Sequence, residues 1–75
     1  MQYAIVIEPT STGFSAYVPD VPGCVAAGET EAEVKALMRE ALQFHLEALL
    51  RDGEPIPEPT SRIGYVEIGE TDDVA

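Results

Sequence analysis

Two groupings in this 75-residue chain contain the residue types that chemistry needs. Glu8, Asp20 and Glu29 fall near strand ends or in turns, and carboxylates converging on a pair of ions are the donor set of metal-dependent hydrolysis. Cys24 and His45 are the single thiol and the single imidazole. A nucleophilic mechanism would ask the imidazole to take the thiol proton, with a third group to orient it. The surrounding sequence favours plainer roles for all five. Glu8 precedes Pro9 at a strand exit and Asp20 lies between Pro19 and Pro22, positions where a carboxylate satisfies local backbone donors. Cys24 opens a short apolar strand and reads as a small buried hydrophobe. His45 lies on an apolar helical face and reads as a packed side chain with one ring hydrogen bond. One thiol and one imidazole fall short of a four-ligand structural zinc site, and the dispersed glycines form no phosphate-cradling loop. No catalytic, cofactor-binding or metal-binding residue is assigned on this reading. A small hydrolase or nuclease ranks behind a binding module.

The elements that would position these residues follow from periodicity and punctuation. Tyr3 to Glu8 is nearly unbroken and β-branched, as a strand covered on part of both faces should be, and Pro9 ends it. Thr10 to Gly13 has hairpin length, and Phe14 to Val18 returns with Phe14, Ala16 and Val18 on one side. Pro19-Asp20-Val21-Pro22-Gly23 is a rigid double-proline turn, because each proline presets φ and removes a backbone donor. Cys24 to Ala27 is a third strand, stopped by Gly28. Short links between three strands predict an antiparallel meander.

Thr30 and Glu33 have capping-box spacing, with the threonine hydroxyl on the glutamate amide and the carboxylate reaching back to the cap amide. The helix expected from Glu31 to Arg51 turns Val34, Leu37, Met38, Ala41, Leu42, His45, Ala48 and Leu49 toward a core. Asp52-Gly53 stops it. Phe44, Leu46 and Leu50 widen the apolar face beyond what one small sheet must cover. Pro55, Pro57 and Pro59 then lead to a fourth expected strand, Ile63 to Ile68. The fold class is α+β, a single β-β-β-α-β domain over residues 1–69 with a crossover helix on one sheet face, and 70–75 as an acidic tail expected to fray. Ala4 and Val6 point opposite to Tyr3, Ile5 and Ile7, so one apolar sheet face is left needing a neighbour.

Size and charge bound the function. A 75-residue domain buries only about 60% of its unfolded surface, and one cysteine offers no internal disulfide, so a homodimer, a higher homo-oligomer or a bound partner is expected to supply stability. Fourteen Asp and Glu against four Lys and Arg give a net charge of -10. Lys35, Arg39, Arg51 and Arg62 each lie near acidic residues rather than in a patch, which argues against direct nucleic-acid binding. The acidity suits a basic protein partner as well as solubility. No signal peptide and no membrane-length apolar run is read, making a cytoplasmic location the default.

The ordered series Ile7-Glu8-Pro9, Phe14-Ser15-Ala16-Tyr17, Pro19-Asp20-Val21-Pro22-Gly23-Cys24, Gly28-Glu29-Thr30, Glu40-Ala41, His45-Leu46-Glu47-Ala48-Leu49 and Asp52-Gly53-Glu54-Pro55-Ile56-Pro57 resembles the N-terminal domain of HicB-like antitoxins, over residues 3 to 68. The resemblance implies a partial ribonuclease-H-like βββαβ domain without that nuclease's catalytic carboxylates. It implies the neutralising half of a type II toxin-antitoxin pair, whose HicA-like toxin is a small basic mRNA-cleaving ribonuclease. Family members usually continue into a DNA-binding segment; none is expected here, so operator binding is not carried over. Partner contacts are expected on the sheet face or edge and at Asp20, Glu47 and Asp52. Pro19, Pro22, Gly23, Gly53, Pro55 and Pro57 are read as scaffold. The alternative is an orphan homo-oligomeric structural protein without a toxin.

Overall fold

Turn chemistry decides where each strand begins and ends. In the computed structural model, which describes residues 1–69, β1 (Val6–Pro9), β2 (Phe14–Tyr17) and β3 (Val25–Gly28) form an antiparallel sheet of order β1-β2-β3, followed by α1 (Glu31–Arg51). The meander and the helix match expectation. Each strand is four residues long, and Tyr3 to Ile5 runs ahead of the paired register. The first link closes with the Thr10 amide donating to the Gly13 carbonyl at 2.8 Å.

The proline motif between β2 and β3 is a pair of consecutive four-residue turns. Val21 N donates to Val18 O at 3.1 Å and Cys24 N to Val21 O at 3.2 Å, so Pro19 and Pro22 each occupy the second position, where their fixed φ is already correct. Gly23 takes the third position of the second turn with φ +86°, the left-handed backbone that a type II turn requires. The turn is closed by Val18 N donating to Cys24 O at 3.3 Å. Val21, the residue shared by both turns, is driven inward and is buried.

Helix α1 is capped at both ends. Thr30 is extended, and its hydroxyl accepts from Glu33 N at 3.0 Å. The Glu33 carboxylate accepts from the amide of Glu29 at 2.6 Å, one residue before the cap amide expected from the sequence, so the box ties down the residue that leaves β3. Glu31 and Glu33 in the first turn and Arg51 in the last complement the helix dipole. At the far end Gly53 N donates to Leu50 O at 3.1 Å and Glu54 N to Leu49 O at 2.9 Å, with Gly53 at φ +72°. This is the Schellman arrangement, which needs a residue without a Cβ at that position.

The core lies between α1 and one face of the sheet. Register places Ile7, Ala16 and Ala26 in one inward row, and the fully buried set is Ala16, Val18, Val21, Cys24, Val34 and Met38. Only Val34 and Met38 of the helix are fully buried; Ala41 and Leu42 are partly so, and Leu37, expected on the inward face, is 40% exposed. The cause is length. A 21-residue helix extends about 30 Å, whereas a four-residue strand extends about 13 Å, so the second half of α1 overshoots the sheet.

After the helix, the chain returns across the start of β1. Both oxygens of Asp20 are engaged by residues 40 and 41 positions later: Ser61 N donates to Oδ2 at 2.8 Å, Ser61 Oγ to Oδ1 at 2.7 Å and Thr60 Oγ1 to Oδ1 at 3.3 Å. Tyr3 Oη donates to the Pro57 carbonyl. Beyond this latch the expected fourth strand is not formed. Residues 62–69 are exposed and unpaired, with Tyr65, Val66 and Ile68 between 81% and 92% exposed. A strand exists only through a partner's backbone, and no strand of the described sheet pairs with this segment. The acidic tail expected at 70–75 lies outside the described residues.

Two outcomes test this account. Met38→Ala should lower unfolding free energy by about 2–5 kcal/mol through lost transfer and cavity terms, while Phe44→Ala, at a position 70% exposed, should stay within about 0.5 kcal/mol; urea denaturation of both variants checks this. The latch is predicted to be pH-dependent. Hydrogen bonds from Ser61 hold the Asp20 carboxyl below its ordinary 3.8, so the folded state favours the ionised form. Its contribution is complete above the ordinary value and lost as pH falls through the depressed one. The Ser61 amide shift should titrate in that range, and Asp20→Ala should abolish the titration; an unchanged titration in that variant would remove Asp20 from the latch.

Candidate interaction surface

The surface left by this packing is apolar in two places. Strand alternation sends Ile7, Ala16 and Ala26 inward and therefore sends Val6, Tyr17 and Val25 outward, in one row across all three strands. Tyr17 is 43% and Val25 66% exposed. This is the uncovered sheet face expected from the opposed sets of apolar residues in β1. The second place is the overshooting half of α1, where Phe44 and Leu50 are exposed and Leu46, Ala48 and Leu49 are half-buried. Aromatic side chains in such settings supply large contact area at low entropic cost, which is why interfaces are built around them.

Charge is arranged around these patches. Glu47 and Asp52, two of the three expected partner-binding residues, are exposed on the overshooting end of α1. Asp20, the third, is half-buried and holds the returning chain through Thr60 and Ser61. Local turn logic anticipated an acceptor at Asp20 but not the identity of its donors, because nothing near position 20 announces Ser61. The cations depart from the sequence reading. Lys35, Arg39 and Arg62 line one groove of about 720 Å³ between α1 and the run entering β1, so three of the four basic residues are gathered rather than scattered.

The two groupings with catalytic residue types are disposed differently. Cys24 is buried, its Sγ lies 3.7 Å from Met38 Sδ, and burial raises its thiol pKa, which disfavours the thiolate that a nucleophile needs. His45 is half-buried on α1, about two turns beyond Met38. Among the described residues, no three of His, Cys, Asp and Glu gather as ligands for a metal ion. No helix among them is long and apolar enough to cross a membrane. Pro19, Pro22, Gly23 and Gly53 occupy the two turns and the helix stop, and the Pro57 carbonyl accepts from the Tyr3 hydroxyl.

A chain in the HicA3 and HicB3 toxin-antitoxin complex superposes with TM-score 0.69 and 42% identity, covering 80% of this chain and 70% of that one. The crystal structure of antitoxin HicB3 matches with TM-score 0.66 and 44% identity over 76% of this chain and 42% of that one. An uncharacterised 14.9 kDa protein of Haemophilus phage HP1 is 41% identical over 88% of this chain and 50% of its own length. Antitoxin HicB 2 of Photorhabdus laumondii is 29% identical over 83% of this chain and 45% of its own length. The chain thus spans about half the length of these two relatives. A UPF0150 protein of Thermoplasma acidophilum is 33% identical, with 76% of this chain matching 84% of its length. The family model described as the HicB-like antitoxin of bacterial toxin-antitoxin systems matches residues 3–73, and the chain belongs to that family.

Proposed function

We propose that this chain is the binding half of a toxin-antitoxin pair, which holds and neutralises a small basic mRNA-cleaving toxin of the HicA type. The observation that carries the reading is the 42% identity, at TM-score 0.69, to a chain in the HicA3 and HicB3 complex. The mechanism is occlusion. An apolar patch anchored by an aromatic residue excludes water at the centre of a contact, and both the Tyr17 row and the Phe44 end of α1 offer such a patch. A net charge of -10 draws in a basic partner and disfavours acidic ones. Glu47 and Asp52 form the acidic rim beside Phe44 and Leu50, and Asp20 acts by holding the returning chain in place. The chain contributes no bond-making step of its own, and it works in the cytoplasm, where its toxin's substrate is.

Binding to a purified HicA-type toxin, measured by stopped flow over a range of salt, tests this. Tight binding that suppresses RNA cleavage is expected, and reversing both charges (Glu47→Lys with Asp52→Lys) should slow association about tenfold at low salt and little at high salt. Full RNA cleavage in the presence of excess chain would overturn the proposal.

A further inference from the structure

The unformed fourth strand and the open groove are complementary. The groove lies between α1 and residues 1–5, the run that enters β1, and β1 is itself an edge strand, paired only with β2. The apolar floor of the groove includes Tyr3, Ile5, Met38 and Leu42, and a continuation over Gln43 and Leu46 lengthens it along α1. From Lys35 to Leu46 the helix advances about 16 Å, close to the reach of a five- or six-residue strand. Ile63 to Ile68 is six residues of strand-forming sequence with no partner, and Tyr65, Val66 and Ile68 stand in solvent. An exposed apolar segment of strand-forming sequence and an edge strand entered from an apolar groove are the two halves of a strand-addition contact.

Charge identifies the occupant. Lys35, Arg39 and Arg62 line the groove, whereas the sequence from Ile63 onward carries Glu67, Glu70, Asp72 and Asp73 and no lysine or arginine. An acidic, apolar, extended segment is what this groove accepts, and the chain itself contains one. Geometry then separates self from copy. The latch at Ser61 holds the chain at the mouth of its own groove, and beyond it residues 62–69 are exposed and outside any strand, not seated in that groove. Pro55, Pro57 and Pro59 stiffen the hinge that a fold-back would have to bend, the situation that favours exchange between identical protomers.

We infer that Ile63–Ile68 of a second copy lies in the groove lined by Lys35 and Arg39, alongside the run that enters β1, reciprocally, so that each protomer completes the other's sheet. The contact is isologous, closes a dimer by two-fold symmetry, and leaves the Val6, Tyr17 and Val25 face free for another partner. It does not depend on the identity of any toxin.

Light scattering on the purified full chain, with amide hydrogen exchange, tests the inference. The wild-type chain should have twice the single-chain mass at micromolar concentrations, with protection at 63–68 that fades on dilution. Val66→Asp, at an exposed position that leaves the helix signal in circular dichroism intact, should halve the mass and abolish that protection. Arg39→Glu should weaken assembly at low salt, whereas Val25→Ser on the outer sheet face should leave the mass unchanged. A monomeric wild-type chain, whether 63–68 is exposed or folded into its own groove, would overturn the proposal. So would a Val66→Asp variant that keeps the wild-type mass, or a Val25→Ser variant that loses it.

Discussion

The contact of Val34 and Met38 with the inward face of the sheet is the constraint on which the rest of the molecule rests. These two side chains, one helical turn apart, are the only helix residues fully removed from water, and they meet Ala16, Val18, Val21 and Cys24. Six buried residues among those described are a small core even for a domain of this size. Every other device serves to hold that contact in place. The double turn pushes Val21 inward, the Thr30–Glu33 cap sets the angle at which α1 leaves β3, and the Cys24 thiol packs against the Met38 thioether. The small side chains at Ala16 and Ala26 let helix and sheet approach closely, which is why so few residues can close the core.

A core confined to the first two turns of α1 leaves the remainder of the helix, the outer sheet face and the last strand-like segment to find their neighbours elsewhere. That architecture presents surfaces for contact. The groups with reactive potential are tied to structure: Cys24 is buried, and Asp20 holds Ser61 and Thr60. The apolar positions are instead at the surface, in rows and with acidic neighbours. Membership of the HicB-like family and this distribution of surfaces point the same way.

Much of the fold was legible from local rules. The helix boundaries, both caps, the three-stranded meander and the turn roles of Pro19, Pro22, Gly23 and Gly53 are consequences of residues within a few positions of each other. Cys24 as a packed thiol follows from its apolar neighbours. Less legible were the features in which a residue's partner is distant. Asp20 reads as a turn acceptor but reaches Ser61, and Tyr3 reads as a strand residue but donates to Pro57. Lys35, Arg39 and Arg62 look scattered along the chain yet line one groove, because four-residue spacing on α1 stacks the first two and the returning segment brings the third. Ile63 to Ile68 has the composition of a strand, but composition does not supply an edge to pair with.

The sequence by itself determined the order and type of the elements, the sign and size of the charge, and the presence of more apolar surface than one small sheet and helix can bury. These depend on φ/ψ preferences, hydrophobic period and residue counts, all of which are local or additive. Tertiary structure alone decided which face of β1 met the helix, how much of α1 the sheet could cover, and where the chain after Gly53 was fastened. Those outcomes depend on the relative lengths of the elements and on hydrogen bonds spanning 40 or more residues, which exist only after the core has closed.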